Sequence, residues 1–434
     1  MKISHRRLGG AVAAFGVALT ALTACGSGGD SADGTVELSF LVDNSETTLA
    51  QANAVADAFN ATSTDVKVEV ETRPQGTEGD NVVKTRLSTG DMSDVFWYPS
   101  GSLLQALNPA QSIADLTGDP VLKDVEEGFL PVVSQDAKVY GVPIGSGTGG
   151  GILYNRKVYA ELGLQVPKTW AEFTANNDKI KAAGKTAVIS TFKDSWSSQL
   201  LVLADFYNVQ NAAPTFAQDY TANKAKFATT PAALTGFAHL NEVNAKGYQN
   251  KGFGSATVDQ GMKLLLSGEG AHFPMLTFTL PPLLKDNPEA ATDLGFFGVP
   301  GTDPAKAGAT IWEPAAVYAA KDTEHLAEAK KFMAFVASPA GIDAIKDISA
   351  PTGPYRVKGA KLPDDAMQAV KDIQGYIDAG LTAPALEYLS PVKGPSLEQI
   401  TVAVGSGLTP PAEGAGQYDK DVEKQAEQLG LAGW

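Results

Sequence analysis

The stretch Tyr140–Lys157, YGVPIGSGTGGGILYNRK, constrains this chain more than any other. Val139–Ile144 is a short apolar run closed at Pro143, and Ile152–Tyr154 resumes one. Between them Gly145, Gly147, Gly149, Gly150 and Gly151 leave almost no side chains. Glycine serves where the backbone must reach unusual dihedral angles or approach another group closely. The cluster predicts a flexible crossover from one body of protein into a second, with a ligand pressed beside it.

What precedes the crossover reads as strand, helix, strand, helix, strand. Thr35–Val42 is β-rich, and Thr47–Asn60 carries helical spacing through Leu49, Ala52, Val55, Ala56 and Phe59. Val66–Val70 alternates, Val82–Leu87 is helical, and Asp94–Tyr98 is a short apolar strand stopped by Pro99. That order predicts parallel pairing with right-handed crossovers, and ligands in such sheets sit beyond the carboxyl ends of the strands. Here those ends are Asp43 with Asn44, Arg73, and Trp97 with Tyr98.

After the crossover the spacing predicts helices over Arg156–Leu162, from Thr169 (an N-cap), and over Ser195–Tyr207, Thr230–Lys246 and Val258–Leu266. Ala187–Ser190, Gly270–Phe273 and Leu294–Val299 read as strands. Thr310–Ala319 reads as one strand-like run, followed by an amphipathic helix over Thr323–Ala337. Pro351–Pro354 is a further turn-rich crossover, and the rest is mainly helical with Pro384–Pro395 as a loop. Two α/β lobes joined near residues 145, 311 and 352 are the economical reading.

The N-terminus reads as an export signal. Lys2, Arg6 and Arg7 precede the apolar stretch Leu8–Leu22, which is too short and too rich in Ala and Gly to span a bilayer stably. It ends Leu22-Thr23-Ala24-Cys25, spelled like a bacterial lipobox, in which the cysteine is lipidated and becomes the first residue. Cys25 is the sole cysteine, so no internal disulfide forms. Gly26–Gly34 follows as a flexible tether. Residues 1–24 are therefore expected to be cleaved, leaving the body extracytoplasmic and anchored to the cell membrane by Cys25; Arg6-Arg7 leaves the route, Sec or twin-arginine, open. Loss of Lys2, Arg6 and Arg7 leaves 31 basic against 49 acidic residues, 31 − 49 = −18. That balance argues against nucleic acid, whose phosphates require a basic face.

Motifs that spell chemistry lack their context. Gly145-x-Gly147-x-x-Gly150 resembles a dinucleotide fingerprint, but a strand rather than a helix follows it. Gly184-Lys185-Thr186 resembles the end of a P-loop without its leading glycine, position 179 being Lys. His239, His272 and His325 show no metal-ligand spacing, and no Gly-x-Ser-x-Gly elbow occurs. No catalytic residue, metal or cofactor is expected. The aromatics are more informative: Trp97, Tyr98, Trp196, Phe278, Trp312 and Tyr388 fall at loop or strand ends. The C–H face of a sugar ring lies on such a ring while its hydroxyls need polar partners. Asp43, Asn44, Arg73, Ser146, Thr148, Asp194 and Glu313 are the polar candidates, each equally readable as a capping or solvated loop residue.

Several segments, taken together and in order, resemble the extracellular solute-binding proteins of bacterial ABC importers, in the family of maltose- and oligosaccharide-binding proteins. They are SDVFWYPSG, YGVPIGSGTGGGILYNRKVYAELGLQVPKTWAEF, MKLLLSGEGAHFPM and TIWEPAAVYAAKDTEHLAEAKKFMAFVASPAG. The resemblance implies a two-lobed, type II periplasmic-binding-protein-like α/β fold, its lobes joined by several hinge crossovers. Residues 35–145 plus 312–351 would form one lobe, and 146–311 plus 352–434 the other. It implies ligand roles for Trp97, Tyr98, Ser146, Thr148, Asp194, Trp196, Trp312, Glu313 and Tyr388. Where many relatives carry a tryptophan this chain reads Pro274-Met275-Leu276-Thr277-Phe278. The expectation is a monomeric, non-catalytic protein that captures a carbohydrate, an oligosaccharide by preference, and delivers it to the transmembrane subunits of an ABC permease. A polyamine, peptide or iron complex on the same fold is the alternative ligand, and a secreted glycoside-active enzyme the alternative class.

Overall fold

The computed structural model describes residues 34–434 apart from 285. The export signal, Cys25 and nearly all of the tether lie outside the described residues. The strands are β1 (Val36–Asp43), β2 (Val66–Arg73), β3 (Val95–Tyr98), β4 (Ser134–Gln135), β5 (Lys138–Val139), β6 (Gly141–Pro143), β7 (Thr148–Asn155), β8 (Thr186–Val188), β9 (Gly270–Leu276), β10 (Leu294–Phe297), β11 (Ala309–Trp312), β12 (Ala316–Ala319) and β13 (Thr382–Pro384). They form two main sheets, with β4 and β5 a small separate pair.

The first sheet runs β2-β1-β3-β12-β6. β1 pairs in parallel with β2 and β3, as the strand–helix alternation predicts, and β12 is antiparallel to both β3 and β6. Helix Glu46–Asn60 starts where the Ser45 side chain accepts from the Thr48 N–H, and it buries Ala52, Val55, Ala56 and Phe59. Phe40, Phe59 and Phe332 meet edge to face inside this core, with ring centroids 5.2 and 5.3 Å apart.

The second sheet runs β13-β11-β7-β9-β8, with β10 also on β7. β7 is its centre, antiparallel to β9, β10 and β11. Ile152 feeds a core on one face and Leu153 a core on the other, because successive strand residues point to opposite sides. Helix Trp170–Ala182 begins in a full capping box between Thr169 and Glu172. No helix among the described residues is long and apolar enough to cross a membrane.

Three readings change. First, Gly149, Gly150 and Gly151 belong to β7 rather than to a flexible crossover, and the space beside them is filled by the protein itself. A Cβ on Gly149 would meet Ile373, one on Gly150 the Trp312 ring, and one on Gly151 the Phe297 carbonyl. Second, Thr310–Ala319 is two strands in two sheets, split at Glu313-Pro314-Ala315. Third, Ser195–Tyr207 is a 3-10 turn (Ser195–Gln199), a short helix (Leu200–Leu203) and the start of another (Phe206–Ala212). The chain passes between the sheets at 143–148, at 312–316 and between helices Pro339–Ile345 and Gln368–Asp378.

Candidate functional site

Strand direction fixes which edges of the two sheets face each other. β6 ends at Pro143, just before the first crossover, and Pro143 is in register with Ala316, itself in register with Tyr98. The carboxyl end of β3, and of β1 and β2 parallel to it, therefore lies on the crossover side. In the second sheet β7 starts at the crossover; Leu276 is in register with Gly150, and Trp312 with Thr148. The carboxyl ends of β9 and β11, and of β8 and β13 parallel to them, point the same way. Both sheets thus present carboxyl ends to the junction, where α/β sheets hold ligands.

On the first rim Asp43 lies beside Arg73, and the exposed Asn44 accepts a 3.4 Å hydrogen bond from Gln75. Arg73 is 6% exposed; its guanidinium sits 5.5 Å from the Tyr98 ring centre and Nη1 donates to the Pro74 carbonyl at 3.1 Å. Arg73 Nε is enclosed with no hydrogen-bond partner, and Arg73 makes no ion pair among the described residues. Tyr98 is fully buried, its hydroxyl beside the Asp80 carboxylate without hydrogen-bond geometry. Burial first, and Asp80 second, push the Tyr98 phenol well above its usual range, so it stays a protonated donor. Trp97 packs into the first core, and in this conformation it is no ligand platform.

On the second rim Trp196 and Phe278 come together from the loops after β8 and β9. Their rings stack at 5.9 Å and 29°, with Phe278 48% exposed. Asp194 is turned inward: its carboxylate accepts from the Val258 N–H at 2.7 Å and tethers the start of helix Val258–Ser267. Trp312 lies over Gly150 between the two cores of the second sheet.

Ser146 and Thr148 sit in the first crossover and bond to the third. Ser146 Oγ accepts from the Thr352 N–H at 3.2 Å, and the Thr148 and Thr352 hydroxyls are 3.0 Å apart. Glu313 corrects the reading of that residue as a ligand contact. Its side chain is fully buried and both carboxylate oxygens bind Arg356. Burial raises the Glu313 pKa and the Arg356 guanidinium opposes the rise. Tyr388 is similarly engaged, donating its hydroxyl to the Glu313 carbonyl at 3.0 Å. Arg356, Thr352 and Thr277 were missed; only the turn-rich Pro351–Pro354 hinted at the first two.

A hollow of about 220 Å³ opens between the two bodies, lined by Lys346, Asp347 and Pro351 on one side and Leu284, Asp365 and Met367 on the other. Two larger hollows lie within the second body, away from the rims. Among the described residues no three His, Cys, Asp or Glu side chains gather as metal ligands.

Two α/β bodies joined by three crossovers, with facing carboxyl-end rims, define a two-lobed binding protein. Residues 43–343 match the family described as bacterial extracellular solute-binding protein, and the chain belongs to that family. It is 27% identical over 286 residues to the multiple sugar-binding protein of Streptococcus mutans, an alignment spanning 64% of this chain and 66%, just under two thirds, of that one. It is 24% identical over 315 residues to the melibiose/raffinose/stachyose-binding protein MelE of Bacillus subtilis, covering 70% and 71% of the two chains. Its fold matches apo RafE from Streptococcus pneumoniae with a TM-score of 0.74, 20% identity, and coverage of 91% and 98%. Against RafE in complex with raffinose the TM-score is 0.64, with 21% identity and coverage of 91% and 100%. These relatives are type II solute-binding proteins, a class of binders rather than enzymes.

Proposed function

We propose that this protein is the substrate-binding lipoprotein of an ABC importer, that it captures an oligosaccharide between its lobes, and that it passes the sugar to the permease. The observation that carries the sugar reading is the stacked Trp196–Phe278 pair on one rim, with the polar Arg73, Asp43 and Asn44 on the other. An aromatic face takes the apolar side of a pyranose ring, and a guanidinium, a carboxylate and an amide take its hydroxyls. The names of the relatives that bind sugars support the same class. In this reading residues 35–145 with 312–351 and residues 146–311 with 352–434 move as the two lobes, and the protein acts as a monomer. An open form binds ligand on one rim, and contacts from the other favour closure, the differential affinity supplying the population shift. The greater likeness to apo RafE fits an open form. Residues 1–24 are the cleaved signal and Cys25 carries the lipid.

A thermal-shift panel of oligosaccharides, monosaccharides, polyamines, peptides and iron complexes tests the ligand class. A ligand at 100 times its Kd adds about 2.7 kcal/mol to the folded state. Stabilisation by sugars alone is expected; stabilisation only by a polyamine, peptide or iron complex would overturn the carbohydrate reading. Trp196→Ala should weaken sugar binding at least about tenfold, roughly 1.4 kcal/mol, in a protein that stays folded. Labelled palmitate should enter the wild type in a bacterial host and not Cys25→Ala.

A further inference from the structure

The contacts on either side of each crossover show where the chain can bend. In the first, the Ile144 N–H is tied to Ala315 at 3.1 Å and Thr148 opens β7 in register with Trp312, leaving residues 145–147. In the second, Trp312 is paired in one sheet and Ala316 in the other, leaving Glu313-Pro314-Ala315. In the third, the Thr352 carbonyl accepts from Thr277 of the second body, while the Arg356 carbonyl accepts from the Glu126 N–H of the first at 3.0 Å. Tyr355 and Val357 are buried in the first core, so this crossover bends at Gly353-Pro354 on its return to the first body and again between Leu362, which packs on both bodies, and Met367 in the second. Gly353 lies directly on the first crossover, where a Cβ would sit 2.5 Å from the Gly147 carbonyl oxygen.

Glu313 thus belongs to one bending segment and Arg356 to the short first-body stretch within another crossover, and their side chains join them. Arg356 Nε donates to Oε2 at 2.6 Å and Nη2 to Oε1, with the two side chains 3% and 0% exposed. The pair is also linked to both bodies through its main chain. The Arg356 carbonyl holds Glu126; the Glu313 carbonyl holds the Tyr388 hydroxyl, which belongs to the segment after β13. Tyr388 in turn packs on the first body at Gly101 (φ +72°), where a Cβ would fall 2.7 Å from Tyr388 Cα and Cδ1.

We propose that the Glu313–Arg356 pair is the bearing on which the lobes turn, staying closed in open and closed forms and holding the second and third crossovers to one axis. Arg356 is then a positioning residue: it sets how the rims meet without touching ligand. Opening the pair during closure would leave a charge unpaired in the interior, a penalty that a near-balanced conformational equilibrium could not absorb. A pair kept throughout adds nothing to the cost of turning. The inference rests on the two-lobed architecture and not on the identity of the ligand.

The test uses residues 34–434 with labels at Thr64→Cys and Lys424→Cys, exposed positions in the first and second bodies. The interlobe distance distribution is read by single-molecule energy transfer without ligand. In Glu313→Gln/Arg356→Gln, which keeps hydrogen-bonding groups and removes both charges, the distribution should widen at least twofold. Arg356→Lys, with its charge but no fork, should fall between. A lower melting temperature with an unchanged distribution would mean a merely structural pair and overturn the proposal. Should the double variant fail to fold, Tyr388→Phe decides: loss of its hydroxyl should widen the distribution, and an unchanged width would overturn the bearing.

Discussion

Gly150→Ala tests why β7 is built from three consecutive glycines. Gly150 has no left-handed φ, so alanine is compatible with its backbone, and by chain entropy alone the change would stabilise by about 0.4–1 kcal/mol. The new Cβ would, however, sit 2.8 Å from Trp312 Cε3 and 3.0 Å from Cη2, with Cζ3 nearer still. Restoring ordinary contact of about 3.4 Å at Cζ3, which would lie 2.0 Å away, moves the ring by about 1.4 Å, and the ring is wedged between two cores. Overpacking of this kind costs about 1–3 kcal/mol, and a rigid indole puts the net loss near the upper end. Gly149→Ala should lose less, because its Cβ meets the flexible end of Ile373. Urea denaturation measures both, with Trp312→Ala in each background. The double variant Gly150→Ala/Trp312→Ala should be more stable than the sum of the single losses predicts. Equal losses at 149 and 150, or strict additivity with Trp312→Ala, would refute the packing account.

Asp205 is fully buried with one carboxylate oxygen unpartnered, and burial raises its pKa to about 8. The folded state therefore holds a proton that the unfolded chain releases near its ordinary value of about 3.9, and the stabilising retention is lost as pH climbs. Denaturation midpoints should fall between pH 5 and pH 7, by at most about 1.4 kcal/mol per pH unit from this group, and Asp205→Asn should flatten that decline. Asp419 accepts from the Phe227 and Ala228 N–H groups at 2.8 and 2.9 Å, clamping the long C-terminal helix Pro411–Gln428 to the loop before helix Pro231–Ala245. Asp419→Ala leaves those donors unmet and should cost about 2 kcal/mol in the same assay, with unchanged ligand binding.

Much of the architecture was legible because local signals agreed with it. The alternation of Val66 and Val68, the phenylalanine-bearing face of Glu46–Asn60 and the Thr169 cap each say the same thing in sequence and in structure. The glycine run misled because glycine marks both bending and close approach, and only a tertiary neighbour, Trp312, tells which. Thr310–Ala319 misled because apolar runs do not announce a change of sheet; Pro314 was the one local mark of it. The site was half legible. Strand ends point to Arg73 and Tyr98 by topology alone, and Trp196 stood out as an aromatic in a polar loop. The pairing of Glu313 with Arg356, 43 residues apart, leaves no local trace.

The placement of β12 has a consequence for the order in which the chain can assemble. It lies between β3 and β6, so the first sheet has a gap until residue 319 is present, and the second lacks an edge until residue 384. An N-terminal half emerging from a ribosome has no complete body to fold into, and both bodies close late, through contacts distant in sequence. A polypeptide with that property completes the first sheet only once β12 is present and the second only once β13 is, whatever local structure forms earlier.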